Sequence, residues 1–217
     1  LGRNIGKGAY GSVAIALNMI NAERVAIKRI HADERFMRAA LKEIKILTEL
    51  NSSNHDSYPI VELVDNFIDN KIQYLVFEYL DMNLYKYYLD NILSFKLVKS
   101  IFQETSSGLS YIHSLDIIHC DLKPENIMIN LQTKQIKIID FGSSKYTRDK
   151  QNNFYIQSRY YRAPEIVFEL KYDTAIDIWS LGCIIYELIF RRPLFPCKNM
   201  DNLVYQLTGL LGIPDGN

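Results

Sequence analysis

In the first third of the chain the apolar positions fall in short β-branched runs. "GSVAIAL" and "RVAIKRI" read as strands, and the "NMINAE" between them has asparagines that suit a turn. "ERFMRAALKEIKILTEL" then sets Phe36, Ala40, Ile44 and Leu47 at three- and four-residue spacing, which predicts an amphipathic helix. "NSSNHDSYP" is a polar loop. "IVELVDNFID" and "IQYLVFEYL" return to strand patterning, and the second is so nearly apolar throughout that it is expected to be central.

After Asp81 the period changes. "SFKLVKSIFQETSSGLSYIHSL" has helical periodicity with polar outer faces despite Gly108, and "IKIIDFG" is a short strand ending in glycine. "AIDIWSLGCIIYELIF" predicts a long apolar helix, too short and interrupted to cross a bilayer and expected at the centre of a lobe. The shift from strand-rich to helix-rich sequence predicts two lobes, residues 1–79 and 80–217, joined through "EYLDMN".

Composition narrows the function classes. Apolar residues make up 48% of the 217, with no uninterrupted run long enough for a membrane span. "LGRNIGKGAY" has no apolar segment of the kind a secretory signal needs. Lys+Arg and Asp+Glu both number 25, so net charge gives no reason to expect nucleic acid or anionic lipid as partner. Cys120, Cys183 and Cys197 are odd in number and widely spaced, which fits a reducing compartment and neither a disulfide framework nor a zinc site. A soluble intracellular protein of cytoplasm or nucleus is expected.

Several polar residues carry candidate chemistry. "IGKGAYGSV" holds Gly6, Gly8 and Gly11, followed by strand-like residues and so expected at a hairpin tip. Glycines there let backbone N–H groups approach phosphate oxygens, although a plain mobile turn has the same sequence. Lys28 ends "VAIK", seventeen residues beyond Gly11. A lysine in an apolar strand needs an anionic partner, and Glu43 on the inner face of the following helix can reach it; alone, Lys28 reads more readily as a surface lysine with a buried stem, a reading that loses weight beside the glycine loop. "HCDLKPEN" places Asn126 five residues after Asp121, and the Asp140 of "DFG" follows nineteen residues after Asp121.

Glycine loop, strand lysine, catalytic loop and D-F-G occur in the order of the eukaryotic protein kinases, and the chain resembles that family over its whole length. The resemblance implies an α+β, two-lobed protein kinase fold. Its small lobe is an antiparallel β-sheet plus one helix, and its large lobe is mainly helical. Asp121 would orient the substrate hydroxyl and accept its proton, with Lys123 stabilising the transferring phosphoryl and Lys28 paired to Glu43. Asn126 and Asp140 would hold Mg²⁺, an ion suited to amide and carboxylate oxygens. ATP would lie among Ile5, Gly6, Gly8, Gly11, Val13, Ala26, Lys28, Phe77, Glu78, Leu80 and Ile139. Phe77 would narrow the back of this pocket, or serve simply as a core aromatic. "APE" (Ala163 to Glu165) and Asp177 in "DIWSLG" match further kinase features.

"YIQSRYYRAPEI", "HCDLKPEN", "IDFGSS" and "LVFEYLDMNLY" are similar to the dual-specificity tyrosine-regulated kinases of the CMGC group. Homeodomain-interacting kinases share "SRYYRAPEI" and are the alternative within the class. A nucleotide-binding, pseudokinase-like scaffold is the alternative outside it. The resemblance implies a monomeric catalytic domain acting on protein Ser/Thr, with proline after the acceptor selected by Arg162, and a dual-specificity activity of the EC 2.7.12.1 kind.

Cys120 stands where many kinases carry an arginine that holds an activation-loop phosphate, and a small uncharged thiol cannot do this. By resemblance, Tyr155 is the autophosphorylated residue, with Arg159 and Arg162 positioned to bind its phosphate. A packed, unmodified Tyr155 is the plainer reading, and Asn153 departs from the family's second tyrosine.

His31 and His55 are expected in solvent, His113 and His119 in packing and hydrogen bonding, Cys183 in the core, and Cys197 of "FPCKN" exposed. Kinases of this type continue with further helices, an insertion, and an arginine paired to Glu165. The large lobe is therefore expected to lack its C-terminal part, leaving Leu203, Leu207 and Leu210 partly exposed.

Overall fold

The computed structural model describes residues 4–8, 11–52, 57–149 and 155–212. Five antiparallel strands form the first sheet: β1 (Asn4–Gly8), β2 (Gly11–Leu17), β3 (Arg24–Ile30), β4 (Leu63–Asp69) and β5 (Ile72–Glu78). Their order is β1-β2-β3-β5-β4, so the apolar "IQYLVFE" run is an interior strand, with Leu75 and Val76 buried. The β1–β2 pair closes at Gly8↔Gly11, beside Ala9 and Tyr10, which lie outside the described residues.

Gly11 also meets a packing constraint. A Cβ there would lie 1.8 Å from the Arg29 carbonyl oxygen on β3, so the close approach of β2 and β3 itself requires glycine.

Helix α1 (Glu34–Asn51) starts at Asp33, whose carboxylate accepts from the Arg35 N–H as a cap. Its inner face is Ala40, Glu43, Ile46, Leu47 and Leu50, while Phe36 and Ile44 are half-buried. One buried position on that apolar stripe is thus a carboxylate, and its partner comes from the sheet.

Beyond the sheet lie β6 (Met82–Asn83), α2 (Leu84–Asp90), α3 (Phe95–Ser114) and β7 (Ile117–Ile118). Then come β8 (Ile127–Ile129), β9 (Ile136–Ile138) and β10 (Lys145–Tyr146), and the helices α4 (Pro164–Val167), α5 (Ala175–Phe190) and α6 (Met200–Leu211). Asn83 and Ser94 cap α2 and α3 through their side-chain oxygens. Gly108 interrupts α3 for a packing reason: a Cβ there would sit 2.9 Å from Ile138 Cδ1 and 3.1 Å from Pro59 Cγ. That crossing joins the two halves of the molecule. The segment before β4 bonds β9 through Ile138 N–H to Pro59 O (2.8 Å) and Val61 N–H to Ile138 O (3.0 Å).

Two expectations change here. Helix α5 does not bury its whole circumference: Ile178, Ile189 and Phe190 are exposed, while Asp177, Ser180 and Glu187 are buried. The inward polar groups are satisfied, Glu187 accepting from the hydroxyls of Tyr88 and Tyr161. Leu203 and Leu207 are also fully buried, packed into the main core with Leu188, Phe195 and Cys197; only Leu210 is exposed.

Gly11→Ala should destabilise the fold by roughly 1–3 kcal/mol, because the clashing atom is backbone and can move only with β3. A lowered urea midpoint with an unchanged slope is the expected result.

Candidate active site

Lys28, on β3, is registered between Val13 on β2 and Leu75 on β5. Its Nζ donates to both oxygens of Glu43 at 2.8 Å and to Asp140 Oδ1 at 3.3 Å. Burial alone would lower the lysine's pKa, but the charges of Glu43 and then Asp140 hold it above its ordinary value. Burial pushes the Glu43 carboxyl up against the pull of Lys28. Asp140 is also opposed by burial, yet Lys28 and, less strongly, His119 hold it below the usual carboxylate range. Asp140 itself is left-handed (φ 63°), which starts the turn Phe141–Ser143.

The second cluster is built on the loop after β7. Asp121 Oδ1 accepts from the Ser158 N–H (3.0 Å) and hydroxyl (2.8 Å). Its Oδ2 accepts from Lys123 Nζ at 2.7 Å and more weakly from Asn126 Nδ2 at 3.3 Å. Lys123 Nζ also reaches Ser158 Oγ at 3.0 Å, and Asn126 Nδ2 is fixed by the Asp121 carbonyl at 2.8 Å. Ser158 opens the "SRYYRAPEI" stretch, but nothing in that sequence assigns it to Asp121 until the fold brings the two together.

Buried Asp177 of α5 holds this loop in place by accepting from the main-chain N–H groups of His119 (2.8 Å) and Cys120 (3.0 Å). His113 Nε2 lies 2.9 Å from the same carboxylate, so it is part of this polar network as well as of α3. His119 hydrogen-bonds the Ile139 carbonyl through Nε2 and accepts the Asp121 N–H at Nδ1, with its ring edge-on to Phe141. Cys120 is left-handed (φ 66°), and its thiol is fully buried among Ile118, Ile156, Ala163, Ile166, Tyr172 and Ile176. An arginine there would bring a charge into an apolar cluster.

Asp140 and Asn126 offer a carboxylate and an amide, hard oxygen donors of the kind Mg²⁺ prefers. Among the described residues no group of three or more His, Cys, Asp or Glu could hold a metal by itself. The set suits an ion that takes one or two protein oxygens and completes its shell from phosphates and water.

The other predicted pocket residues fall on the surrounding strands. Ala26 is in register with Ile15 and Phe77, and Val13 with Lys28. Phe77 packs against core clusters of both halves, as its reading as a core aromatic expects. Gly6 lies on β1 opposite Val13, and Ile5 beside it is exposed. Leu80 and Ile139 pack partly buried against the main core. Glu78 is braced on its side chain by Lys137 Nζ (2.5 Å) and the Glu62 N–H (2.8 Å).

In the segment before α4, Tyr155 is 79% exposed, with the Arg162 guanidinium carbon 5.1 Å from its ring centre. Arg162 is buried and donates through Nε and Nη2 to the carbonyl of Gln157, a left-handed residue (φ 61°). Arg159 donates instead to the Lys198 carbonyl at 2.7 Å, so the two arginines expected at Tyr155 are divided. Cys197 is buried, because Phe195 and Trp179 stack beside it and draw the segment into the core. Asn153 and His55 lie outside the described residues. No helix among the described residues is long and apolar enough to cross a membrane.

The profile of the protein kinase domain family matches residues 1–211. Dual specificity tyrosine-phosphorylation-regulated kinase 4 of Homo sapiens is 41% identical over 215 residues, covering 97% of this chain and 41% of its own length. Dual specificity tyrosine-phosphorylation-regulated kinase 2 of Drosophila melanogaster is 40% identical over 215 residues, covering 97% and 30%. Homeodomain-interacting protein kinase 1 of Mus musculus is 38% identical over 216 residues, covering 97% and 18%. The chain thus spans less than half the length of these curated relatives.

Lys28→Met tests the electrostatics. Without the ammonium, Glu43 rises further above its unfolded value, so folding takes up a proton. Stability from that group is present at low pH and lost as pH rises through the raised folded value. The variant's deficit in urea midpoint relative to wild type should shrink from pH 7.5 to pH 5.5.

Proposed function

This chain belongs to the protein kinase domain family, and we propose that it transfers the γ-phosphoryl group of ATP to Ser or Thr hydroxyls of proteins. The carrying observation is the Lys28 ammonium held by Glu43 and Asp140, beside Asp121 with Lys123, Asn126 and Ser158 on its carboxylate. Bound ATP with Mg²⁺ supplies the transferable phosphoryl group and a counter-charge for its oxygens. Asn126 and Asp140 are the residues to hold the ion, and Lys28 the one to hold the phosphates. Ile5, Val13, Ala26, Phe77, Leu80 and Ile139 provide apolar surface for the base. Asp121 orients the acceptor hydroxyl and takes its proton, while Lys123 keeps positive charge where negative charge develops.

Selection of proline after the acceptor is supported by Arg162. Its two hydrogen bonds occupy the Gln157 carbonyl, whose left-handed backbone turns that oxygen inward. An incoming peptide N–H beside Gln157 finds this acceptor taken, and an unpaired N–H costs roughly 1–3 kcal/mol. Proline has no N–H to lose. The names of two of the three relatives describe dual-specificity, tyrosine-phosphorylation-regulated kinases, and autophosphorylation of Tyr155 fits its exposure and the nearby Arg162. Arg159 would have to leave the Lys198 carbonyl to join it.

Asp121→Asn should keep nucleotide binding, read by thermal shift, and slow transfer to a basic protein acceptor by roughly 10²–10⁴-fold. Near-full activity would refute its role. A peptide array should favour proline after the acceptor by about tenfold or more, with Tyr155 phosphate found by mass spectrometry of the same protein. Indifference to proline would refute the Arg162–Gln157 argument.

A further inference from the structure

We propose that Tyr146 is a positioning residue: with Glu49, and beside the Lys42–Asp149 pair, it clamps α1 onto the segment after Asp140 and so keeps Glu43 on Lys28. The inference deepens the kinase reading and rests on it.

Lys42, Lys45 and Glu49 lie three and seven residues apart on α1, and so on one face. That face meets a compact turn at residues 145–149. The Tyr146 hydroxyl donates to Glu49 Oε2 at 2.7 Å. Its ring has Arg148 Cζ at 4.4 Å and Lys45 Nζ at 5.6 Å from its centre. Lys42 Nζ reaches Asp149 Oδ2 at 2.6 Å, and the same oxygen accepts the Tyr146 N–H at 3.2 Å. Asp149 N–H closes the turn on Tyr146 O at 3.0 Å, and Thr147 N–H ties it to Asp116 O at 2.8 Å.

The turn is itself anchored beside Asp121. On β10, Tyr146 pairs with Ile117 and Lys145 with Ile118 of β7, the strand that runs into His119 and Asp121. Ser144 Oγ adds a hydrogen bond to the His119 carbonyl at 3.0 Å. One side chain therefore links the strand under the catalytic loop to the helix that carries Glu43.

The first half of α1 packs Phe36, Met37 and Ala40 against Ile30 and Leu75 of the sheet. In the same half Ala39 and Lys42 border a cavity of about 370 Å³, shared with Lys145, Asp121 and Tyr155. The Lys42–Asp149 link spans that cavity, and the Tyr146–Glu49 link holds the last turn of α1. Tyr146 is almost wholly buried, and burial together with Glu49 pushes its phenol up to about 12, so it remains a donor across the working range of pH. The clamp consists of side chains alone and does not call on a phosphate at Tyr155, consistent with an uncharged Cys120 beneath that segment.

Tyr146→Phe keeps the ring and removes the hydroxyl, Glu49→Ala removes the acceptor, and Lys42→Met breaks the other link from the surface. Each should lower kcat, Tyr146→Phe by about tenfold, with the KM for a basic protein acceptor little changed. The Tyr146→Phe/Glu49→Ala double variant should be no slower than the slower single one. Amides 41–50 should exchange hydrogen faster in all three single variants, with those of α3 unchanged, and should keep their protection in phosphatase-treated wild type. Unchanged exchange or kcat in Tyr146→Phe, additive losses in the double variant, or loss of protection on phosphatase treatment would each overturn the clamp. If wild type transfers no phosphoryl group, the kinase reading fails, and the exchange measurement alone decides the clamp.

Discussion

Lys28 sets one ammonium between the carboxylates of Glu43 and Asp140, with Glu43 buried, Lys28 nearly so and Asp140 partly exposed. Any of these charges buried alone would be costly, and together they are tolerable only at hydrogen-bonding distance. The three belong to β3, α1 and the turn after β9, so the strand, the helix and the turn must meet at one point. Sheet pairing on both sides of Lys28 holds its backbone, whereas α1 is held by side-chain packing, through Ala40 on the sheet and Ile46, Leu47 and Leu50 in the main core. Its contacts with the residues after Phe141 add polar links to that packing.

The other half of the site depends on a buried acid of a different kind. Asp177 has no cation as its main partner; it takes main-chain N–H groups of His119 and Cys120 and lies beside His113. Its effect is to fix a loop in an unusual backbone, including a left-handed Cys120. The Asp121 carboxylate is then oriented from three directions, by Lys123, Asn126 and Ser158. Buried Glu187 repeats the pattern lower down, with two phenols in place of backbone donors.

Much of this was legible in order along the chain. The period of "ERFMRAALKEIKILTEL" placed α1, and the position of Glu43 on its inner stripe made it the partner of Lys28. The spacing of Asp121, Asn126 and Asp140 marked the residues to which the proposed chemistry is assigned. Other features had no local signal. Leu203 and Leu207 looked like surface left uncovered, whereas α6 buries them against α5 and the Phe195 segment. The second constraint on Gly11, the Arg29 carbonyl that excludes a side chain there, had no local signal either. Cys197 lies in a polar-looking stretch and is buried by aromatic stacking.

The sequence by itself determined the elements, their apolar faces and the residue types able to bind phosphate and move a proton, because periodicity and side-chain chemistry are local properties. Only the tertiary structure decided that Ser158 would reach Asp121, that Arg162 would take the Gln157 carbonyl while Arg159 turned to Lys198, and that Tyr146 would meet Glu49. Each of those hydrogen bonds spans a distance and an angle fixed by how separate elements pack. Such geometry has no repeat along the chain from which it could be read.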